Sequence, residues 1–591
     1  MKNSCLFLTT YYEPFLNTFY DKFPFLKQLS YEEQKKHFFS TFFGDSDFYS
    51  NGLRQAGWHA DDIIMNCSYL QNAWAKENNI VGMEGKILEL AAMQIKHYKP
   101  DVVFIHDLQI ITDNFLKYIR PFTKLIVGQS GSPSLPTINL SLIDVMFTLL
   151  DHLVDYYRNY GIAAYLQYLA FDQRILKKIK PVKKIYPVTF IGAFRDTFYE
   201  KRCNLFDTLS KKITIDHWGP DPYNSLNYQG EAWGLDMFST LHQSEITLNC
   251  HIDAAKNYAA NMRLYEATGC GTLLITDHKD NLNEIFEIGN EIISYRSPEE
   301  CADLIKYYLD HTEERKRVAK SGQKRTLKEH TYTNRMKKTA DILERHLRYQ
   351  REKSIYLNIK PFDISKRSTQ IQPDQFSKKM AQAWKAKKIP IKQRAVVQSS
   401  LSKMYKGETS ETEKALFESL LDYVSPSCPI LEIGCSSGYY YEILEYLLKM
   451  KINYSGVDYS EAFIQMATDY YPGIPFYVAD GSLLPFKDKQ FFIAISSCIL
   501  LHVPNFKEHI KETVRVSKRF IIAHRTPICK QRPTHYIKKF AYEIETGEIK
   551  FNENEIIECF LFNGLKLLNR YQYFAKPKYD EYEVTYVFER L

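Results

Sequence analysis

Nowhere in the 591 residues do 18 consecutive apolar side chains occur, so no segment reads as a membrane-spanning helix. No Cys-x-x-Cys pair occurs, and the eleven cysteines are scattered. That spacing excludes a zinc ladder and a disulfide scaffold, leaves no metal site to expect, and fits a reduced, cytoplasmic compartment. The opening stretch MKNSCLFLTTYY has too short an apolar run for a signal peptide and no cleavage-like site after it, which gives the same expectation. Net charge is small: 77 basic against 70 acidic residues leaves +7, too little for a dedicated nucleic-acid coat. Internal repeats and low-complexity tracts are absent as well, which excludes solenoid, collagen-like and largely disordered chains.

What is present is a chain long enough for three or four domains, rich in tyrosine (43 residues). Tyrosine can stack on sugar or base rings, although cores use it too. The positive charge is concentrated. Residues 351–406 hold fourteen Lys and Arg against three acidic residues, a net of +11, which leaves about −4 for the rest.

Apolar or β-branched runs alternate with helical patterns, the signature of α/β layers with parallel sheets. A first set contains CLFLTT, DVVFIHD, KLIVGQSG, DVMFTLL and AAYLQYLAF, with a long, aromatic-rich, mostly helical stretch at 12–97 between its first two strands. A second set, YPVTFIGAF, KITIDHWG, EITLNCH, GTLLITD and EIISY, follows Pro181 and Pro187, and a charged helical region covers 298–350. Residues 351–406, interrupted by Pro361, Pro373 and Pro390, read as a basic linker, and a third α/β unit starts at ETEKALFESLLDYV.

The sharpest motif is PILEIGCSSGYYYEILEYL, residues 429–447. A buried strand runs into a turn from Gly434 to Gly438 and then a helix; glycine permits the tight turn and the close approach of a ligand or the helix. The next strand ends in Asp458, 24 residues after Gly434, the spacing of a carboxylate that accepts from ribose hydroxyls. A third strand ends at Ala479-Asp480-Gly481, and a fourth near His502. This constellation, over about 410–530, resembles class I S-adenosylmethionine-dependent methyltransferases. The resemblance implies that Glu432 organises the turn and the methionine end, Asp458 binds ribose, and Asp480 with Ala479 and Gly481 contacts adenine. It places His502 where a residue often faces the reaction centre. A nicotinamide site fits less well, because its fingerprint is Gly-x-Gly-x-x-Gly. Ser436 stands where the family usually has a second Gly, which suits a negative φ, and Phe492 stands where an acidic residue usually follows the aromatic. His502 has the pKa of a general base for a sugar hydroxyl, with a packed or helix-capping histidine as the alternative; His524 is the weaker candidate.

In the second set, residues 247–295 place a strand, a loop, a helix beginning near Asn261, a Gly turn at Gly269–Gly271, a strand and an acidic loop. A helix start with Arg263 in its first turn can hold a diphosphate, and Glu266 and Glu284 can accept from sugar or ribose hydroxyls. The alternative for Arg263 and Glu266 is an ordinary i,i+3 pair. The stretches NMRLYEATGCGTLLITD, LNEIFEIGNEIISYRSPEE and HTYTNRM, and more loosely FFGDSDFYSNGLRQAGW, resemble the donor lobe and preceding lobe of GT-B glycosyltransferases of the spore-coat CgeB group and, more distantly, the group 1 transferases. In the group 1 families two glutamates about eight residues apart bind the donor; here Glu266 and Glu284 are 18 apart. In this architecture His251 points at the interlobe cleft, toward phosphate or sugar, and His217 and Trp218 flank the nucleobase. His106 and Asp107 end a first-lobe strand, where a catalytic base sits if the enzyme inverts, with a buried strand-end histidine as the alternative, and Tyr11, Tyr12, Phe43 and Trp58 suit a sugar or lipid-linked acceptor.

The expected fold is α/β, with two Rossmann-like lobes at 1–178 and 179–350, a linker at 351–406 and a third Rossmann-like domain at 407–591. The expected function is a bifunctional glycosyltransferase and methyltransferase, with a nucleotide-sugar donor, S-adenosylmethionine as cofactor, and a glycan or lipid-linked acceptor in surface polysaccharide or glycoprotein synthesis. A methyltransferase acting on a non-sugar acceptor and a scaffold with one degenerate site are the alternatives. The basic segment reads as a solvated linker, with a peripheral contact to anionic headgroups as its other role.

Overall fold

The computed structural model describes residues 2–83, 85–131, 135–180, 183–194, 199–223, 225–356, 369–376, 380, 383–541 and 544–591. The chain divides into two compact units, Met1–Gln350 and Arg351–Leu591. Among the described residues no helix is long and apolar enough to cross a membrane, and no group of three His, Cys, Asp or Glu could hold a metal ion.

The first unit contains two all-parallel six-stranded sheets. In one, strands β1 (Ser4–Thr9), β2 (His59–Ile64), β3 (Val102–Ile105), β4 (Leu125–Ser130), β5 (Val145–Thr148) and β6 (Ala163–Leu166) take the order β2-β1-β3-β4-β5-β6. In the other, β7 (Tyr186–Ile191), β8 (Asp216–Trp218), β9 (Asn227–Tyr228), β10 (Ser244–Asn249), β11 (Leu273–Asp277) and β12 (Ile293–Tyr295) take the order β12-β11-β10-β7-β8-β9. Central strands such as β3 and β4 are buried along their whole length. They therefore read as continuous apolar runs and not as an alternation. The stretch at 12–97 is mostly helical, as expected, but it also contains β2. Only Asp62–Ile64 of that edge strand are buried, so its sequence HADDII gives no strand signal.

The helix Tyr332–Tyr356 returns to the first sheet. Trp58 Nε1 donates to Glu344 Oε1 at 3.1 Å, and Thr339 Oγ1 donates to Gln167 Oε1 at 2.6 Å. Phe171 and Thr331 form a β-bridge where the chain leaves one lobe and re-enters it. The end of the expected second lobe thus packs on the first. The lobes also meet at Gly234 (φ +53), where a Cβ would lie 2.1 Å from the Thr41 carbonyl oxygen. No residue with a side chain fits there.

The second unit holds one ten-stranded sheet made of β13 (Thr369–Ile371), β14 (Pro429–Ile433), β15 (Asn453–Asp458), β16 (Phe476–Val478), β17 (Phe491–Ser497), β18 (Ser517–Cys529), β19 (His535–Ala541), β20 (Ile544–Asn552), β21 (Leu565–Lys576) and β22 (Glu581–Arg590). The strands β16-β15-β14-β17-β18 are parallel; β22 runs antiparallel on β18, and β21 antiparallel on β22. A second branch carries β20 on the end of β18, then β19, then β13.

That branch corrects the linker reading. Thr369–Ile371 is a strand of this sheet, and Ile389–Tyr405 is a 17-residue helix. Its Arg394 is 1% exposed; the guanidinium lies 4.0 Å over the ring of Tyr470, donates to the Tyr471 hydroxyl at 3.1 Å, and sits 3.6 Å from Glu442. Tyr405 donates to the same carboxylate. The helix is anchored by this buried ion pair with its hydrogen bonds together with the buried Ile389, Val397, Leu401 and Met404, and the arginine within that face makes its sequence look like a charged connector. Part of the +11 stretch, residues 357–368, 377–379 and 381–382, lies outside the described residues.

Candidate functional site

In the second unit the order of the strands reverses between β14 and β17, the position at which open α/β sheets bind ligands. A cavity of about 910 Å³ lies there. At the end of β14, Gly434 (φ +82) turns the chain so that its own N–H and that of Cys435 both reach Val457 O, at 2.8 and 3.1 Å. Gly438 (φ +72) begins the helix Tyr439–Leu448, and a Cβ on it would come within 2.7 Å of Phe476. Gly438 therefore serves packing, whereas Gly434 lines the cavity. Ser436 does not have the negative φ expected of it: φ is +53. The strained backbone is held from both sides, by its N–H donating to Asp458 Oδ2 at 3.0 Å and by its hydroxyl donating to Gln393, on the helix read as linker.

Asp458 ends β15, lines the cavity, and also accepts from Ser460 N at 2.9 Å. Two backbone N–H groups thus fix the carboxylate and leave lone pairs for a ligand. Burial pushes its pKa up to about 6. Asp480 and Gly481 line the same cavity. Asp480 is exposed and accepts from Ser482 N at 2.8 Å; Ala479 N donates to Asp458 O at 3.0 Å. The space a Cβ on Gly481 would enter is filled by the His509 ring, 2.6 Å away. Glu432 lies behind this site. It is 1% exposed, accepts from the Tyr454 hydroxyl, and its Oε1 has no hydrogen-bond partner among the described residues.

Burial pushes the Glu432 carboxyl up to about 8. A raised carboxyl pKa stabilises the fold below the unfolded value and loses that contribution as pH rises to the folded one. The Glu432 contribution to the stability of the second unit is expected to fall between pH 5 and 8, by about 1.4 kcal/mol for each pH unit climbed. Glu432→Gln flattens this slope, as read from urea unfolding at pH 6 and 8.5.

His502 lines the same cavity. Its Nδ1 is 3.1 Å from Gly547 O. A carbonyl can only accept, so Nδ1 carries the hydrogen and Nε2 keeps its lone pair. Burial lowers the pKa, opposed by Glu548 and the Gly547 carbonyl, so the ring is neutral at pH 7. Trp384 packs on it at 4.8 Å between ring centroids. His524 is different: its nitrogens meet Thr585 Oγ1 at 2.8 Å and Tyr440 OH at 3.1 Å, so it is a structural histidine. Phe492 packs edge-on against Phe520. Trp384, Arg525, Lys539, Glu548 and Lys550 also line the cavity. They belong to the segment read as linker, to a bulge in β18 and to the β19–β20 hairpin, and no motif marks them.

In the first unit, His251 follows β10 and Asp277 ends β11; His251 Nδ1 lies 2.7 Å from Asp277 Oδ1, which also accepts the His251 N–H at 3.0 Å. Nε2 is buried with no partner among the described residues. The hydrogen bonds and charge of His251, with Lys279, hold Asp277 far below the usual carboxylate range despite burial. Arg263 opens the helix Arg263–Gly269 and pairs with Glu266 at 2.7 Å. Burial raises the Glu266 pKa, and Arg263 opposes it. Gly269 sits at the helix end with the Phe171 ring 2.5 Å from where a Cβ would be, a packing position. Glu284 is exposed; beside it the buried Asn281 holds Ala259 N and O, at 2.7 and 2.9 Å. His217 is fully buried, with Nε2 2.9 Å from Gly192 O, and Trp218 packs edge-on against Tyr186.

His106 follows β3. It is ringed by Phe7, Tyr49 and Phe104, neither ring nitrogen has a hydrogen-bond partner among the described residues, and burial pushes its pKa down to about 3. Its nearest ionic neighbour, missed in the sequence, is Asp45: Oδ2 lies 3.7 Å from Nδ1, and Oδ1 accepts from Tyr332 OH at 3.1 Å. Burial pushes Asp45 up to about 6, and the charge of Glu266, from the other lobe, adds to this. Asp45 directly follows Gly44 (φ +60) in FFGDSDF, the one local signal that could have found it. Asp107 accepts from Thr10 Oγ1 at 2.8 Å and with it lines a separate cavity of about 340 Å³. Tyr11 and Trp58 are core residues, Phe43 packs on Trp233 at 4.9 Å, and Tyr12 is exposed.

Residues 201–341 match the family model of glycosyl transferase-like proteins, and residues 431–520 match that of the methyltransferase domain. The chain carries a glycosyltransferase-like domain and a methyltransferase domain. The curated proteins contain no match. Among solved structures, a glycosyltransferase from Rickettsia africae is similar at 12% identity and TM-score 0.40, over 58% of this chain and 99% of that one. A magnesium protoporphyrin IX methyltransferase from Synechocystis with bound SAM is similar at 16% identity and TM-score 0.24, over 37% and 95%. A Burkholderia thailandensis 1,6-didemethyltoxoflavin-N1-methyltransferase is similar at 13% and 0.27, over 38% and 92%.

Proposed function

We propose that the chain is a bifunctional enzyme that transfers a sugar from a nucleotide donor to a glycan or glycoconjugate and O-methylates a sugar with S-adenosylmethionine. The observation that carries the reading is Asp458, a carboxylate fixed by two backbone N–H groups beside the Gly434 turn, lining one cavity with His502. Asp458 would hold the ribose, Asp480 the adenine end, and the Gly434 turn the methionine end, with Glu432 supporting that turn from behind. S-adenosylmethionine, when bound, supplies an electrophilic methyl group on sulfur. His502 Nε2 takes the proton that the acceptor hydroxyl loses as its oxygen forms the new C–O bond, and the cavity walls hold the reacting atoms in line.

In the first unit, the orphaned Nε2 of His251 and the Arg263 guanidinium suit the donor diphosphate, and Glu266 a donor hydroxyl. His106, kept neutral by burial, is the base of an inverting displacement, with Asp45 beside it. The kinship to the CgeB group and a role in bacterial surface polysaccharide or glycoprotein synthesis rest on the sequence motifs. Cytoplasmic placement and a peripheral contact through the basic segment rest on composition. Fusing two activities keeps the product of one near the other, at an effective concentration on the order of mM. The test is release of nucleoside diphosphate from a panel of nucleotide sugars. Wild type is expected to release one of them and His106→Ala to slow release about a hundredfold; no release from any donor removes this half of the reading.

A further inference from the structure

The wall of the second-unit cavity that carries His502 also presents an arginine, which a distortion of the strand aims. The pairing of β18 with β22 slips between Ala523 and Thr526, and Arg525, inside that irregularity, has φ +56. At the end of the neighbouring strand Cys498 is left-handed as well, with φ +53. Such conformations are costly for residues other than glycine and persist where the surroundings hold them, and bulges beside sites re-aim side chains. The side chain delivered here lines the cavity. Its Nε is buried with no hydrogen-bond partner among the described residues, and Glu583 Oε2 stands off at 3.7 Å. A buried donor of a charged group without an acceptor calls for an explanation. Lys539 and Lys550 share this wall with Glu548 and Glu583, and Lys539 is committed to Glu548 at 2.9 Å. Among these five residues, Arg525 included, one positive charge is in excess, whereas over the whole lining Lys385, Asp458 and Asp480 bring the sum to zero.

We propose that the methyl acceptor carries an anionic group, a carboxylate or a phosphate, and that Arg525 binds it and so determines which hydroxyl of the acceptor reaches His502. An anion matches the planar fork of a guanidinium and forms hydrogen bonds about twice as strong as a neutral group does. A neutral hydroxyl would satisfy Nε but would leave the charge excess unmatched. The inference rests on the methyltransferase reading of the cavity.

The test uses the full chain saturated with S-adenosylhomocysteine and titrates glucuronate, glucose 6-phosphate and glucose by calorimetry. At least one of the two anionic sugars is expected to bind ten times or more tighter than glucose, and which one does so separates carboxylate from phosphate. Arg525→Gln loses that preference while binding S-adenosylhomocysteine as wild type does. Arg525→Gly loses it too, yet melts no lower than wild type, because glycine accepts this φ; a purely structural arginine would lower the melting temperature instead. Glucose binding as tightly as both anions, no anion binding at tens of mM, or a preference that survives Arg525→Gln overturns the proposal. Failure of wild type to bind S-adenosylhomocysteine is the separate result that removes the reading beneath it.

Discussion

Replacing His502 with Gln is expected to slow methyl transfer by 10²- to 10⁴-fold, the usual worth of a positioned general base, while leaving S-adenosylhomocysteine affinity within about twofold. The split follows from geometry. His502 and Asp458 line one cavity, but only Asp458 stands at the end of the second strand, where the nucleoside would lie. A glutamine side chain can still donate to Gly547 O and pack under Trp384, but it offers no basic nitrogen. The pH profile adds a readout that packing alone would not give. Burial lowers the His502 pKa, so the wild-type rate rises with pH through a value below the ordinary 6.5 and is level above it. The residual rate of His502→Gln lacks that rise. Equal losses of rate and affinity would show that the ring only shapes the cavity.

Asp458→Ala is expected to weaken S-adenosylhomocysteine binding by 10²-fold or more. Two hydrogen bonds from ribose hydroxyls to a carboxylate contribute about 1.5–3 kcal/mol each, and each 1.4 kcal/mol is tenfold in affinity. The carboxylate also holds the N–H groups of Ser436 and Ser460, and the first of these keeps Ser436 in its left-handed conformation. Asp458→Asn is no gentle control, because an amide has only one oxygen for the two N–H groups. Since burial brings Asp458 to about 6, wild-type affinity is expected to decline below that pH, by at most tenfold per unit. Isothermal titration of both variants between pH 5.5 and 8 checks each point.

The α/β layers were legible because parallel strands are buried on both faces, and runs such as Val102-Val103-Phe104-Ile105 have no other use. The turn, Asp458 and His502 were legible because strand, glycine and acid recur at fixed spacing. Two short or polar edge strands, β2 and β9, were not, since half of each pairing surface faces water. The helix Ile389–Tyr405 was misread for another reason. Its buried face interleaves Arg394, Gln398 and Tyr405 with Ile389, Val397, Leu401 and Met404, and the partners that accommodate Arg394 and Tyr405 there, Glu442 and Tyr471, are distant in sequence. Asp45 and Arg525 were missed on similar grounds. Each acquires its character from burial or from a bulge, and a single sequence records neither.

Two separate ligand sites on one chain are the central claim, and two compact units allow it to be read in one differential scanning calorimetry experiment. A ligand at 100 times its dissociation constant adds about 2.7 kcal/mol to the unit that binds it. S-adenosylhomocysteine is expected to raise one of two melting transitions, and that shift disappears in Asp458→Ala. A nucleoside diphosphate drawn from the uridine, guanosine and thymidine series raises the other transition, and that shift disappears in Arg263→Ala. If S-adenosylhomocysteine moves neither transition, or its shift survives Asp458→Ala, the assignment of the second-unit cavity is wrong.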